Sequence, residues 1–271
     1  GDHAAMKCGK KDSIVHLGFK PFTVGEKQKF SDKYAVLVAN SMLMAKKSEG
    51  SKDTFNAKVA CYEFALMLLK KNYPDYELKE FRDLAKIRPY SRVYEMIASL
   101  PETITRGGIK ALLPEYKQRL QEIFSNHKDP LLYELRNVAL YGISECERAE
   151  QFMEVLKTEN YDAIGNMMKI SHDGDRLGVE SVSDKHLEQL IANNTPFENQ
   201  CGSYKCSTPE IDALCDLLNG TDGVLGSELV GAGLGGCVIA LIEKSKAQSI
   251  INAVNEGYYD KNNLPHAADV Y

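Results

Sequence analysis

The chain has 271 residues, a net charge of -5 and 26% charged residues. An acidic balance without a basic stripe argues against nucleic acid as a partner. No apolar run reaches the roughly 18 residues of a membrane helix, so we expect a soluble globular protein without a membrane partner.

Seven cysteines, an odd number without C-x-x-C spacing, predict reduced thiols and a cytoplasmic location. The alternative is a zinc site at Cys201, Cys206 and Cys215, although zinc ligands usually come in tighter pairs. The first residue is Gly1 rather than Met, which favours a piece of a longer protein.

Two strands and a helix are predicted in the first part of the chain. Alternation predicts a strand over 13–19, and a short apolar run predicts a buried strand over 34–39. Apolar residues at helical spacing predict a helix over 56–71. Residues 77–169 have the same period almost throughout, broken by prolines and Gly107-Gly108, and are predicted to be helical.

The last part of the chain has sharper signals. Thr208 and Pro209 start a predicted helix that ends near Leu218. Strands are predicted over 224–230 and 237–242, joined by a glycine-rich turn, and a final helix over 245–258. We expect an α+β fold in which the strands 13–19, 34–39, 224–230 and 237–242 share one sheet. The helices 56–71, 207–218 and 245–258 should pack on that sheet.

The glycine-rich turn has three possible interpretations. Gly231, Gly233 and Gly236 satisfy G-x-G-x-x-G, but a dinucleotide-binding turn opens directly into a helix, and here a strand is predicted. A tight hairpin would use glycines for positive φ. An anion cradle would use the unencumbered backbone N–H groups. Four glycines among six residues exceed what a hairpin needs, which favours close approach to a ligand or to another backbone.

The turn also resembles a family motif. Residues 230–238 (VGAGLGGCV) are similar to the third motif of the GHMP kinases, and most of all to the T-G-A-G-x-G-G-C of the galactokinase and N-acetylgalactosamine kinase branch. Further resemblances follow the family's order: GDHAA at 1–5 to its G-M-D-Q loop, NS at 40–41 with FNAKV at 55–59 to N-S and F-N-x-R-V, MKISH at 168–172 to M-N-x-S-H, and KCSTPEID at 205–212 to C-S-x-P-E-L-D. Residues 174–204 form a longer link than the family has.

The resemblance implies a ferredoxin-like C-terminal domain over 1–271, with 77–169 as a helical insertion. It implies the C-terminal part of an enzyme that phosphorylates the anomeric hydroxyl of galactose or a related sugar, with ATP and Mg²⁺ as cofactors. The family's G-E-H-x-D-Y and G-L-S-S-S-A segments do not occur here. We therefore expect an absent N-terminal ATP-binding domain as partner, no cofactor held by this chain alone, and no turnover. The alternative is a non-catalytic sugar-binding or regulatory relative.

The resemblance also implies site residues. Asp2 would lie beside the attacking sugar hydroxyl, with His3 in place of the usual Gln. The sugar and phosphate pocket would contain Gly1, Phe55 and, from the turn, Gly231, Ala232, Gly233, Gly235 and Gly236. Phe55 falls where many galactokinases have a sugar-contacting Tyr, and core packing is equally open for it. Ser171 and His172 are expected to close a helix, and no metal ligands are expected.

Overall fold

The computed structural model describes residues 2–19, 21–43 and 49–271. Ten α-helices and six strands lie in these ranges. In chain order they are α1 (Asp2–Cys8), β1 (Ser13–Gly18), β2 (Thr23–Lys29), β3 (Tyr34–Asn40), α2 (Glu49–Asn72), α3 (Tyr90–Ala98), α4 (Arg106–Leu112), α5 (Lys117–Ser125), α6 (Leu135–Lys157), α7 (Tyr161–Asp175), α8 (Asp184–Asn193), α9 (Pro209–Asn219), β4 (Val224–Leu229), β5 (Cys237–Glu243), α10 (Ala247–Val254) and β6 (Ala268–Val270).

Four strands form one antiparallel sheet in the order β4-β5-β3-β6. Together with α9 and α10 they follow the chain order β-α-β-β-α-β, and numbered within this unit the sheet order is 4-1-3-2. This is the ferredoxin-like arrangement, so the predicted α+β fold with a ferredoxin-like core is confirmed. The described residues between β3 and α9, 41–43 and 49–208, contribute no strand to this sheet, and this part of the chain is called the excursion below.

One face of the sheet is covered by α9 and α10. Successive side chains of a strand point to opposite faces, so alternate residues of β3 and β5 reach the same core. The buried sheet residues of this core are Ala35, Leu37, Ala39, Val238, Ala240 and Ile242, and they pack with Leu214, Leu218, Ile250 and Val254 of the two helices. The apolar residues from which β3, β5 and α9 were predicted are therefore the residues that fill this core.

The other face of the sheet is covered by α7 and the end of α6. Leu241 packs there with Leu156, Ile164 and Met168. Helix α7 and strand β4 approach each other closely at Gly165 and Gly226. A Cβ on Gly165 would lie 2.5 Å from the Leu225 carbonyl oxygen, and a Cβ on Gly226 would lie 2.0 Å from the Gly165 carbonyl oxygen. Glycine at these positions lets the helix backbone contact the strand backbone directly.

A larger, separate core lies among the helices of the excursion. It contains Phe64 of α2, Tyr94 of α3 and Leu140 of α6, all fully buried. Helix α2, expected on the sheet, packs chiefly against α6 instead. The apolar face of α2 explains this difference. Its residues Ala57, Ala60, Phe64 and Leu68 belong to the helical core and not to the core of the sheet.

The first predicted strand forms, but not in the expected sheet. Ser13–Gly18 pairs with Thr23–Lys29 in a separate two-stranded antiparallel sheet. Strand β2 was not predicted because its side chains are almost all exposed and polar, which removes the alternation signal. Among the residues that the structure describes, no helix combines the length and apolar character needed to cross a membrane.

Candidate functional site

The glycine turn connects β4 to β5, which are neighbours in the sheet. Gly231, Gly233, Gly235 and Gly236 all have positive φ, and so does Leu234 at 62°. Cys237 begins a strand, so the turn does not open into a helix and the dinucleotide-binding interpretation is excluded. The predicted bend between two strands is confirmed.

The inner side of the turn is fixed by two segments of the excursion. The Leu234 N–H donates to the Cys206 carbonyl oxygen at 2.7 Å, and the Gly236 N–H donates to the Leu43 carbonyl oxygen at 3.1 Å. The Ser41 hydroxyl donates to the Gly236 carbonyl oxygen at 2.7 Å. The approach is close at Gly233, where a Cβ would lie 2.2 Å from the Cys206 carbonyl oxygen. Glycine is therefore required there by space as well as by φ.

The outer side of the turn is open. Gly231 and Ala232 are exposed, and a Cβ on Gly231 would meet nothing within 4 Å. Among the described residues, their N–H groups donate to no carbonyl. A fixed loop with free N–H groups at its tip is the geometry of an anion-binding nest. The chemistry that the turn offers is thus hydrogen bonding to phosphate or hydroxyl oxygens.

A charged group lies behind the segment that holds the turn. Lys205 adopts φ 58° next to Cys206, and its Nζ lies 3.1 Å from the Glu134 carboxylate. Lys58 of α2 binds the other oxygen of the same carboxylate at 3.2 Å. Burial alone would raise the pKa of Glu134, but Lys58 and Lys205 outweigh burial and lower it. Two lysines on one carboxylate leave a net positive charge.

Two members of this group reach a cavity of about 400 Å³. Lys58 and Glu134 line it together with Asp53, Thr54 and Lys128. Volumes of this order suit small ligands held by a few polar groups. Sequence reasoning missed these residues, although Lys58 itself lies within the FNAKV stretch.

Phe55 lies on α2 next to Thr54 of this cavity, with 38% of its surface exposed. Phe55 is not among the residues of the described hydrophobic cores, and its contact with a sugar stays a prediction. Asp2 is the first residue of α1, and its proximity to the turn stays a prediction. Gly1 lies outside the described residues.

Ser171 and His172 lie in the last turn of α7, as expected of residues that close a helix. The His172 Nε2 lies 3.3 Å from the Asp212 carboxylate of α9. Burial and the positive charge of Arg176 lower the pKa of His172. His172 is buried, and among the described residues neither of its ring nitrogens has a hydrogen-bond partner.

The three cysteines of the zinc alternative do not form a metal site. Burial raises the pKa of Cys206 and of Cys215 to about 12, which keeps both as thiols. Within residues 2–19, 21–43 and 49–271, no three His, Cys, Asp or Glu side chains are placed to hold a metal ion.

Comparison with known proteins gives consistent results. Residues 152–260 match the family model described as GHMP kinases C terminal. A galactokinase of Exiguobacterium sibiricum is 29% identical over 124 residues, covering 46% of this chain and 25% of that protein. The galactokinase of Saccharomyces cerevisiae is 24% identical over 269 residues, covering 89% of this chain and 50% of that protein. The chain thus spans a quarter to a half of the length of these relatives.

A solved structure shows the same fold. The Lactococcus lactis galactokinase complexed with galactose superposes with a TM-score of 0.61 and 17% sequence identity, over 99% of this chain and 52% of that one. The family model covers α7, α8, α9, α10 and two of the four strands of the sheet, β4 and β5, together with the glycine turn that joins them. Residues 152–260 therefore match the C-terminal domain of the GHMP kinases, and the chain is similar in sequence to galactokinases.

Proposed function

We propose that this chain is the C-terminal part of a sugar kinase that transfers the γ-phosphoryl group of ATP to the anomeric hydroxyl of galactose or a related sugar. The observation that carries the proposal is the glycine turn, which is anchored at Cys206 and Leu43 while its tip N–H groups at Gly231 and Ala232 stay open. Relatives that match the chain are galactokinases, and one was solved with galactose bound.

The proposed roles follow from the charges that phosphoryl transfer develops. The Asp2 carboxylate would hold the acceptor hydroxyl in line and take its proton. The tip N–H groups would donate to phosphate oxygens, which gain charge as transfer proceeds. Phe55 would contact the sugar through its exposed ring. ATP and Mg²⁺ are the proposed cofactors of the complete enzyme, where the metal would neutralise phosphate charge.

The isolated chain is proposed to be inactive. Its sequence has neither the G-E-H-x-D-Y nor the G-L-S-S-S-A segment, and a kinase depends on positioning the nucleotide phosphates. The partner would be the domain that carries those segments. The location proposed for the protein is the cytoplasm, where its seven free cysteines would stay reduced.

The test has two arms. Purified chain with ATP, Mg²⁺ and galactose or N-acetylgalactosamine should give no sugar phosphate, and turnover on the order of 1–100 s⁻¹ would refute the claim of inactivity. The protein from the complete gene should phosphorylate one of the two sugars. There Asp2→Asn should lower kcat by roughly 10² to 10⁴, whereas the adjacent His3→Gln should leave it unchanged.

Two results would contradict the kinase assignment. One is a gene that encodes neither missing segment upstream of Gly1. The other is a complete protein that binds galactose in calorimetry yet produces no sugar phosphate. Either result would favour the sugar-binding relative over the enzyme.

A further inference from the structure

A second cavity, of about 280 Å³, lies on the far side of the sheet from α9 and α10. It is an open cavity lined by residues of β1, α6, α7 and β4, and it shares no lining residue with the cavity beside Glu134. Most of its wall is apolar, with Leu17, Phe152, Met153 and Met168 facing it. Methionines give such a wall an adaptable shape.

The polar groups of this cavity include one arginine that is fully engaged. Arg148 of α6 donates from Nε to Glu145 at 3.0 Å, and its Nη2 contacts the same carboxylate. Its Nη1 donates to the carbonyl oxygens of Gln200 at 2.8 Å and Glu198 at 3.2 Å. Arg148 therefore neutralises Glu145 and has its donors committed to fixed protein oxygens.

Glu228 of β4 lines the same cavity, and it has no cation of its own. No ion pair to its carboxylate is found within the part of the chain that the structure describes. Burial and the nearby Glu145 raise the pKa of Glu228 to about 8, against the opposing effects of Arg148 and a hydrogen bond with Ser171. Burial makes the ionised form of this carboxyl group unfavourable, and a positively charged partner in the cavity would stabilise that form.

We propose that this cavity binds a small organic cation, a primary ammonium group on a compact apolar body, with Glu228 as its counter-charge. The ammonium would donate to Glu228 and to the hydroxyl of Ser171, while the body would pack on Phe152 and Met168. An anion is disfavoured because the one arginine of the cavity, Arg148, is already paired with Glu145 and bonded to two carbonyl oxygens. A metal ion is disfavoured because it needs several convergent ligands.

Binding of the ammonium group should be linked to the protonation state of Glu228. The titratable and charged groups around Glu228 are Glu145 and Arg148 from α6, Asp175 from α7 and the imidazole of His16 from β1, which lines the cavity. At pH 7 the Glu228 carboxyl carries a proton, which an incoming ammonium would displace. Affinity should therefore rise about tenfold per pH unit below the carboxyl pKa. An aliphatic amine stays protonated below about pH 9, so its own titration does not cause this rise.

The experiment is isothermal titration calorimetry with phenethylamine on the chain as described. We expect saturable binding at pH 8, at least tenfold weaker binding at pH 6.5, and proton release at pH 7 detected by comparing two buffers of different ionisation enthalpy. The neutral analogue 2-phenylethanol should bind at least tenfold more weakly than phenethylamine. Both comparisons use the unmodified chain and do not depend on how a variant folds.

Glu228→Gln keeps the shape of the side chain and removes its charge, and it should weaken phenethylamine binding at pH 8 at least tenfold. The matched control is Glu150→Gln, an exposed glutamate on the same helix as Arg148, which should leave binding unchanged. The proposal is overturned by equal affinity for the amine and the alcohol, by unchanged binding in Glu228→Gln, or by no saturation at millimolar amine. None of these outcomes depends on sugar phosphorylation.

Discussion

Gly233→Ala would place a methyl group where the Cys206 carbonyl oxygen already lies, 2.2 Å from the new Cβ. The same oxygen accepts the Leu234 N–H at 2.7 Å. To make room, the turn must move away from Cys206, and that hydrogen bond must lengthen or break. The substitution therefore tests whether the turn depends on its contact with the excursion.

The expected loss of stability has two parts. Forcing a residue with a Cβ to φ 77° costs roughly 1–2 kcal/mol. Losing the Leu234 to Cys206 hydrogen bond costs about 0.5–1.5 kcal/mol more. Gly231→Ala is the matched control, because Gly231 has φ 93° but no atom within 4 Å of its Cβ position. The control should lose only the first part, about 1–2 kcal/mol.

Urea unfolding measures both losses, and amide hydrogen exchange localises them. The Leu234 amide should exchange faster in Gly233→Ala and at the normal rate in Gly231→Ala. Equal unfolding free energies for the two variants, with Leu234 still protected in both, would refute the claim that the Cys206 contact fixes the turn.

Three further predictions follow from the described contacts. Between about pH 4.5 and 8, the contribution of Glu228 to the unfolding free energy should fall as pH rises, because the pKa of Glu228 is raised on folding to about 8. Urea titrations at the two pH values should therefore show that Glu228→Gln differs from the unmodified chain by more than about 1 kcal/mol in its change of unfolding free energy. Gly165→Ala should cost about 1–3 kcal/mol by pushing α7 off β4, whereas Gly178→Ala, which meets nothing within 4 Å, should change the midpoint of thermal unfolding little. Phe55→Tyr should change stability by less than about 0.5 kcal/mol and strengthen galactose binding in calorimetry; unchanged binding would place Phe55 away from the sugar.

Local signals predicted the strands and helices of the domain with close boundaries. The apolar alternation of β3 and β5 and the cap at Thr208 each report on neighbouring residues only, and the structure has them as expected. Strand pairing is not a local property, so the alternation in β1 revealed a strand without revealing that its partner is β2. Strand β6 has three residues, too few to show a period.

The part of the candidate site that could be predicted from the sequence is the glycine turn. Positive φ and close approach both demand glycine, and so the turn could be recognised from residues 231–236 alone. The Lys58, Glu134 and Lys205 group joins residues far apart in the chain through side chains, and no spacing rule brings them together. This group can be recognised only once the relative positions of α2, which carries Lys58, and of the start of α6, next to Glu134, are known.

Strand β3 is an inner strand of its sheet, but the ribosome synthesises it long before its neighbours β5 and β6. Asn40 pairs with Cys237 and Tyr34 with Glu243, so about 200 residues separate the two strands. At ordinary rates of translation this interval is roughly 10–40 s, during which the apolar strand has no sheet to join. The helical core lies wholly within the intervening residues and can form first. Synthesis in the cell should therefore leave Tyr34–Asn40 as the segment that chaperones shield until β5 emerges.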